Sequence, residues 1–92
     1  MEFEWDEEKN KKNMMKHGID FGEAARVFLD PNHLEIPDPC CEEKRWDAIC
    51  MVSKVLFVVY AEKKDDLIRV ISARKADKEE INGYKKGYYG RD

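Results

Sequence analysis

The strongest constraint on the fold is a series of strand patterns in the second half of the chain, separated by very short polar turns. Val55–Glu62 is the most apolar stretch and predicts a central strand. Residues 53–54 precede it and residues 63–66 follow it, and each segment is short enough for a hairpin turn. Residues 45–52 and 67–74 are also strand patterns, so these strands are expected to form an antiparallel meander.

Two more strand patterns lie before these three. Residues 33–37 alternate weakly and are expected at a sheet edge, because Pro37 has no backbone N–H to donate. Phe3 and Trp5 alternate with acidic residues near the N-terminus and predict a short first strand with one apolar face. Residues 33–37 and the three strands above are therefore expected to form a four-stranded antiparallel meander.

Helix signals separate the first strand from the others. Asp6 can cap a helix over residues 7–17, which Gly18 ends. A capping box that begins at Asp20 predicts a second helix over residues 21–29. Two helices joined by so short a turn are expected to form a helical hairpin.

A last helix signal closes the chain. Asp77 and Glu80 form a capping box, and the helix that they begin is expected to extend through about residues 84–89. The predicted order is β-α-α-β-β-β-β-α. We expect an α+β fold in which a helical hairpin packs on an antiparallel β-sheet, with a C-terminal helix and the helices on one face. Residues 1–92 are expected to form a single domain.

The charge distribution bears on possible partners. The net charge of −3 taken alone argues against a nucleic-acid binder, because phosphate contacts need an excess of Lys and Arg. The charge is uneven, since residues 1–50 hold 13 acids and 7 bases while residues 51–92 hold 7 acids and 10 bases. The local field at a site matters more than the net charge. The net charge therefore does not exclude a nucleic-acid partner, although a solvated surface with randomly uneven charge explains the asymmetry equally simply.

The sequence offers little support for metal or thiol chemistry. His17 and His33 are sixteen residues apart, and neither a Cys-x-x-Cys nor a Gly-rich phosphate loop is present. We therefore expect neither a metal nor a cofactor. The odd number of cysteines and the acidic N-terminus predict free thiols and a cytoplasmic, membrane-free protein. A thiol enzyme that uses Cys50 or Cys41 is one alternative.

The segment from Arg69 to Lys75 is the most informative for function. In a regular strand Arg69 and Arg74 point to opposite faces, unless a bulge near Ser72 re-aims one of them. Arg74 and Lys75 lie just before a helix N-terminus, where a phosphate can meet cations and free N–H groups together. The alternative is structural: Arg69 pairs with a carboxylate such as Glu62, and Arg74 lies at a solvated strand end.

A second candidate cluster is Lys16-His17-Gly18 at the end of the first predicted helix. A histidine there commonly stabilises the helix dipole and the last carbonyl groups, which is a structural role. His17 is also one of two side chains that titrate near neutral pH, so it is a candidate for proton transfer.

Taken together, these segments resemble one family, the BrnT-type toxins. The resemblance extends from Phe3 to about Tyr84. It is carried by residues 3–6, Asn10, Asn13, residues 16–21, 23–24, 27–28 and 30–31, the RVISARKA segment at 69–76, Glu80 and Tyr84. Membership implies a RelE-like fold and a ribonuclease that inhibits translation and arrests growth. It also implies neutralisation by a BrnA-like ribbon-helix-helix antitoxin in a hetero-oligomer, with operator DNA bound only through the antitoxin.

The resemblance also implies a reaction, metal-independent cleavage of RNA by attack of a ribose 2′-OH on its own phosphate. This reaction needs cations for the developing phosphorane charge and groups that move protons. We expect Arg69 and Arg74 to bind the scissile phosphate, with a positive field from Lys12, Lys16 and Lys75.

For proton transfer we expect His17 first, with Tyr84 or Glu62 second. An alternative function is a catalytically inactive binding module of the same fold, which acts with its antitoxin as a co-repressor. Tight complex formation without RNA cleavage would favour this second interpretation.

Overall fold

The computed structural model describes residues 1–40 and 42–88. The elements follow the predicted order, with one added 3₁₀ segment. They are β1 (Glu2–Glu4), α1 (Glu7–His17), α2 (Phe21–Ala24), the 3₁₀ segment Ala25–Leu29, β2 (Leu34–Asp38), β3 (Arg45–Met51), β4 (Val55–Glu62), β5 (Leu67–Lys75) and α3 (Lys78–Lys86).

The helix ends follow local sequence chemistry. The Asp6 side chain accepts from two backbone N–H groups of the first turn of α1, and Gly18 ends that helix with φ 71°. The second helix is shorter than predicted, because the chain tightens into the 3₁₀ segment after Ala24. Asp30 is extended, as expected for a residue that precedes a proline, and this ends the 3₁₀ segment.

The C-terminal helix ends within the range that the sequence predicts for its end, residues 84–89. The capping box of Asp77 and Glu80 is formed at its start. The helix stops at Lys86, because Gly87 adopts a left-handed conformation with φ 89° and its N–H bonds back to Gly83 and Tyr84. Residue 89, the last residue of this range, lies outside the described residues.

The five strands form one sheet in the order β1-β5-β4-β3-β2. Strands β2 to β5 are the predicted antiparallel meander, with β4 inside the sheet and β2 at an edge. The expectation of a wholly antiparallel sheet is wrong at one place, since β1 pairs with β5 in parallel. The two strands run in the same direction because the whole intervening chain connects them as a crossover.

The sheet has two unlike faces. The first face packs against the helical hairpin and carries the main core, which includes Phe21, Val27, Leu56, Val58 and Val70. The second face carries Phe57, Val59 and Ala61, which alternate with the core residues along β4. Helix α3 contacts β3 and its Glu80 side chain bonds to Arg74 on this second face, so the expectation of helices on one face holds for α1 and α2 only.

Candidate active site

A β-bulge places Arg69 and Arg74 on the same face of the sheet. Val59 of β4 pairs with Ser72 and Tyr60 pairs with Val70, so Ile71 is an extra residue in β5. Cross-strand partners share a face, and Arg69 and Arg74 are opposite Ala61 and Phe57 of the second face. The β-bulge near Ser72, which the sequence allowed as an alternative to a regular strand, is therefore formed.

Arg74 is held by a pair of parallel hydrogen bonds. Its two terminal nitrogens donate to the two carboxylate oxygens of Glu80, each at 2.9 Å, and the guanidinium carbon lies 4.2 Å from the centre of the Phe57 ring. The Glu80 side chain is only 5% exposed, and that of Arg74 is 39% exposed. Arg74 is thus a fixed, partly buried cation and does not lie at a solvated strand end.

Arg69 is held more loosely. Its Nε donates to Glu4 of β1 at 2.6 Å, and its side chain is 52% exposed. The structural alternative, in which Arg69 pairs with a carboxylate of a neighbouring strand, is therefore confirmed, but the partner is Glu4. The partner is not Glu62, because Glu62 leaves the sheet on the first face. Glu62 accepts from the indole nitrogen of Trp46 at 3.1 Å and lies 3.7 Å from the Lys44 ammonium.

Asp47 of β3 lies on the second face as well, and the sequence reasoning missed it. It pairs with Val59, and the charges that act on it come from Asp38, Glu80 and Arg74. Burial, a side-chain hydrogen bond with Asp38, and the charges of Asp38 and Glu80 raise the pKa of Asp47 to about 6, although Arg74 opposes this. In the sequence, the only sign of this residue's importance was that an acidic side chain shares one side of the predicted strand with Arg45 and Ile49.

Tyr84 lies one helical turn beyond Glu80, on the same side of α3. Its hydroxyl donates to Asp30 at 2.6 Å, and burial together with this bond raises the pKa of Tyr84 to about 12. It therefore keeps its proton at neutral pH and can act as a proton donor. It also lines a cavity of about 540 Å³ between α3 and the loop before β2, together with Asn32, His33 and Lys85.

The remaining predicted residues lie elsewhere. Lys12, Lys16 and His17 are on α1, at the side of the helical hairpin. Lys75 pairs with Leu56, so its side chain leaves the sheet on the first face. Among the described residues, no hydrogen bond or ion pair joins His17 to Arg69 or Arg74. The structure thus brings Arg69, Arg74 and the helix that carries Tyr84 to the second face. The other predicted residues lie away from this face, namely Lys12, Lys16, His17, Lys75 and Glu62.

Thiol and metal chemistry find little support here. Cys50 is fully buried, and burial raises its pKa to about 12, so it is a poor nucleophile. Cys41 lies outside the described residues. Within residues 1–40 and 42–88, no group of three or more His, Cys, Asp or Glu side chains is arranged to hold a metal ion. None of the helices in these ranges is long and apolar enough to span a membrane.

Comparison with known proteins gives a consistent result. A family model described as the ribonuclease toxin BrnT of type II toxin–antitoxin systems matches residues 5–80. The crystal structure of the Brucella abortus ribonuclease toxin BrnT superimposes with a TM-score of 0.70 at 28% identity, over 85% of this chain and 99% of that one. A search of curated protein sequences gives no match.

The fold and the match to the family model therefore place this chain among the small α+β toxins of type II toxin–antitoxin systems. The resemblance stated from the sequence is confirmed over most of the chain, and so is the α+β, RelE-like fold that it implied. The chain belongs to the BrnT family of ribonuclease toxins. Membership in this class implies an antitoxin partner.

Proposed function

We propose that this protein is a metal-independent endoribonuclease whose active site lies on the second face of the sheet. The observation that carries the proposal is the bulge at Ile71, which puts Arg69 and Arg74 on one face. Two guanidinium groups on one face suit a phosphodiester, because each can donate paired hydrogen bonds to phosphate oxygens. Family membership supports the same reaction class.

The two arginines have different parts in this proposal. Arg69 binds Glu4 in an exposed pair, which contributes little free energy, so an RNA phosphate can displace Glu4. Arg74 is oriented by Glu80 and Phe57 and supplies a fixed positive charge beside the phosphorane. The 2′-oxygen bonds to phosphorus while the 5′-oxygen leaves, which gives a 2′,3′-cyclic phosphate and a 5′-hydroxyl group.

Proton donation to the leaving oxygen is assigned to Tyr84, since its hydroxyl keeps its proton at neutral pH and projects from the side of α3 that carries Glu80. His17 and Glu62 stay candidates for proton transfer, but their positions away from this face give them less support. Lys12, Lys16 and Lys75 are proposed to attract the RNA backbone by their charge.

The biological setting follows from the family. We propose an RNA substrate, growth arrest through inhibited translation, and a cytoplasmic location. The antitoxin is proposed to be a BrnA-like ribbon-helix-helix protein that forms a hetero-oligomer with the toxin and alone contacts operator DNA. A catalytically inactive co-repressor is the second candidate, because both arginines are already paired with carboxylates in the free protein.

The test is cleavage of a synthetic single-stranded RNA in the presence of EDTA, compared with a DNA strand of the same sequence. We expect cleavage of the RNA alone, because only RNA has the nucleophile. Arg69→Gln should lower the rate by about 100-fold, while Arg26→Gln, an exposed arginine outside the face, should not change it. A folded wild-type protein that binds its antitoxin but leaves RNA intact would favour the co-repressor.

A further inference from the structure

Asp47 lies in an unusual place for a carboxylate. It is on β3, in the interior of the sheet order, and on the face that carries both arginines. The charged groups that face it are Asp38 at the end of β2, Arg74 of β5 and Glu80 of α3, while its partner on β4 is the uncharged Val59.

Its oxygen atoms are incompletely bonded. Oδ1 is buried and has no hydrogen-bond partner among the described residues. The neighbouring Asp38 accepts a hydrogen bond from the Cys40 N–H at 3.0 Å, and its carboxyl group also interacts with that of Asp47 through a side-chain hydrogen bond. A buried carboxylate oxygen without a donor costs free energy, so a protein that keeps one needs a reason outside stability.

The surroundings prepare this carboxyl group for exchanging a proton. Burial, a side-chain hydrogen bond with Asp38 and two like charges disfavour its ionised form, and Arg74 partly compensates. With a pKa of about 6, the group is ionised at neutral pH and is a stronger base than an ordinary aspartate. The residue as a whole is only partly buried.

We propose that Asp47 is the base that accepts the proton of the attacking 2′-hydroxyl group, an inference that rests on the proposed ribonuclease function. The 2′-oxygen forms its bond to phosphorus as the proton moves to the Asp47 carboxylate. The bond from phosphorus to the 5′-oxygen breaks, and the 5′-oxygen takes the proton of Tyr84. Asp47 then releases its proton to solvent, which re-protonates Tyr84, so one proton has moved from the 2′-oxygen to the 5′-oxygen.

The position of Asp47 favours it over the residues that the sequence suggested for this step. It shares its face with Arg69 and is acted on by the Arg74 charge, whereas His17 lies on the hairpin side and Glu62 on the first face. Tyr84 holds its proton too tightly to act as a base near neutral pH. Among these residues, Asp47 therefore has both the position and the pKa that a base in this step requires.

The experiment is a profile of single-turnover RNA cleavage from pH 4.5 to 8.5 for the wild type, Asp47→Asn and Asp38→Asn. We expect the wild-type rate to rise with pH and level off above about 6. Asp47→Asn should lose about 100-fold or more and the rising limb with it. Asp38→Asn removes a like charge, so the midpoint of the limb should move to lower pH. Glu42→Gln, in an exposed loop, is the matched control and should follow the wild type.

The outcomes separate this inference from the function on which it rests. If the wild type does not cleave RNA, the ribonuclease function fails and the inference fails with it. If the wild type cleaves but Asp47→Asn has the same rate and pH profile, only Asp47 is excluded. If Asp47→Asn does not fold, the Asp38→Asn midpoint decides, and an unshifted midpoint overturns the proposal.

Discussion

The side-chain amide of Asn13 bonds to both backbone groups of Ala73, although the two residues are 60 positions apart. Nδ2 donates to the Ala73 carbonyl at 2.9 Å, and Oδ1 accepts from its N–H at 3.3 Å. Strand β1 pairs with β5 only as far as Arg69. Beyond that point the Asn13 amide provides the hydrogen-bond partners that the backbone of Ala73 would otherwise lack at this edge of the sheet. Nδ2 also donates to the Ile19 carbonyl at 2.9 Å. One buried side chain thus joins α1, the hairpin turn and the sheet.

Replacing Asn13 should therefore destabilise the protein strongly. Asn13→Asp keeps the acceptor but loses the donor to two carbonyl groups, and buries a charge. We expect the free energy of unfolding to fall by about 2–4 kcal/mol, measured by urea denaturation. Asn82→Ala, at an exposed position of α3, is the control and should change it by less than about 0.5 kcal/mol. A loss for Asn13→Asp as small as that of the control would contradict this account.

The pair of Arg74 and Glu80 should show strong energetic coupling. Glu80 accepts from both terminal nitrogens of Arg74 and from the Asp77 N–H, and it is nearly buried. We expect Glu80→Gln to cost about 2–3 kcal/mol, less than a fully buried pair because Arg74 is 39% exposed.

A double-mutant cycle with Arg74→Met measures the coupling directly. The double variant should be more stable than the sum of the single losses predicts, because neither partner is then left as an unpaired charge. Glu79→Gln, on the exposed side of the same helical turn, is the matched control. Strict additivity of the two changes would show that the paired geometry of Arg74 and Glu80 carries no energetic weight in solution.

Local rules in the sequence predicted the elements well but not the site. The bounds of α1 and β4 match the prediction, because caps, a glycine stop and short turns are local signals. The bulge at Ile71 depends on how β4 and β5 pack together, so the sequence could show only that it was needed. Asp47 was missed because its neighbours come from β2, β5 and α3, and this environment exists only in the folded chain.

Tyr84→Phe should separate stability from catalysis. Burial tends to raise the pKa of Asp30, but the Tyr84 hydroxyl and the N–H groups of Met51 and Asn32 outweigh it, so the pKa is lowered. A lowered pKa adds stability above the ordinary range for aspartate, which is lost as the pH falls through the folded-state value. The variant should therefore lose about 1–2 kcal/mol at pH 7 and less at pH 3, measured by thermal unfolding.

The cleavage rate of the same variant tests the proton-donor assignment. At a pH and temperature at which Tyr84→Phe is fully folded, we expect the rate to fall by about 100-fold. Tyr88→Phe, an exposed tyrosine beyond the helix end, provides the comparison and should keep the wild-type rate. A stability loss with an unchanged rate would leave Tyr84 as a purely structural anchor for α3.

The raised pKa of Asp47 makes an equilibrium prediction that needs no substrate. Between its ordinary value of 3.8 and its folded value of about 6, the folded protein binds more protons at this site than the unfolded chain does. Stability contributed by this group is therefore present at low pH, falls as the pH rises through that window, and stays low above it.

Asp47→Asn removes the ionisation, so its stability relative to the wild type should increase from pH 4 to pH 7. We expect a gain of about 1–2 kcal/mol, reduced from the full linkage value because Asp47 is partly exposed. Urea denaturation at both pH values measures it, with Glu42→Gln as the variant whose difference from the wild type should not depend on pH. A gain in stability together with the loss of cleavage would show that the fold gives up stability at Asp47 for its chemistry. A difference that is constant with pH would mean that the charge of Asp47 is not disfavoured, and the proposed base would have no basis in the electrostatics of this face.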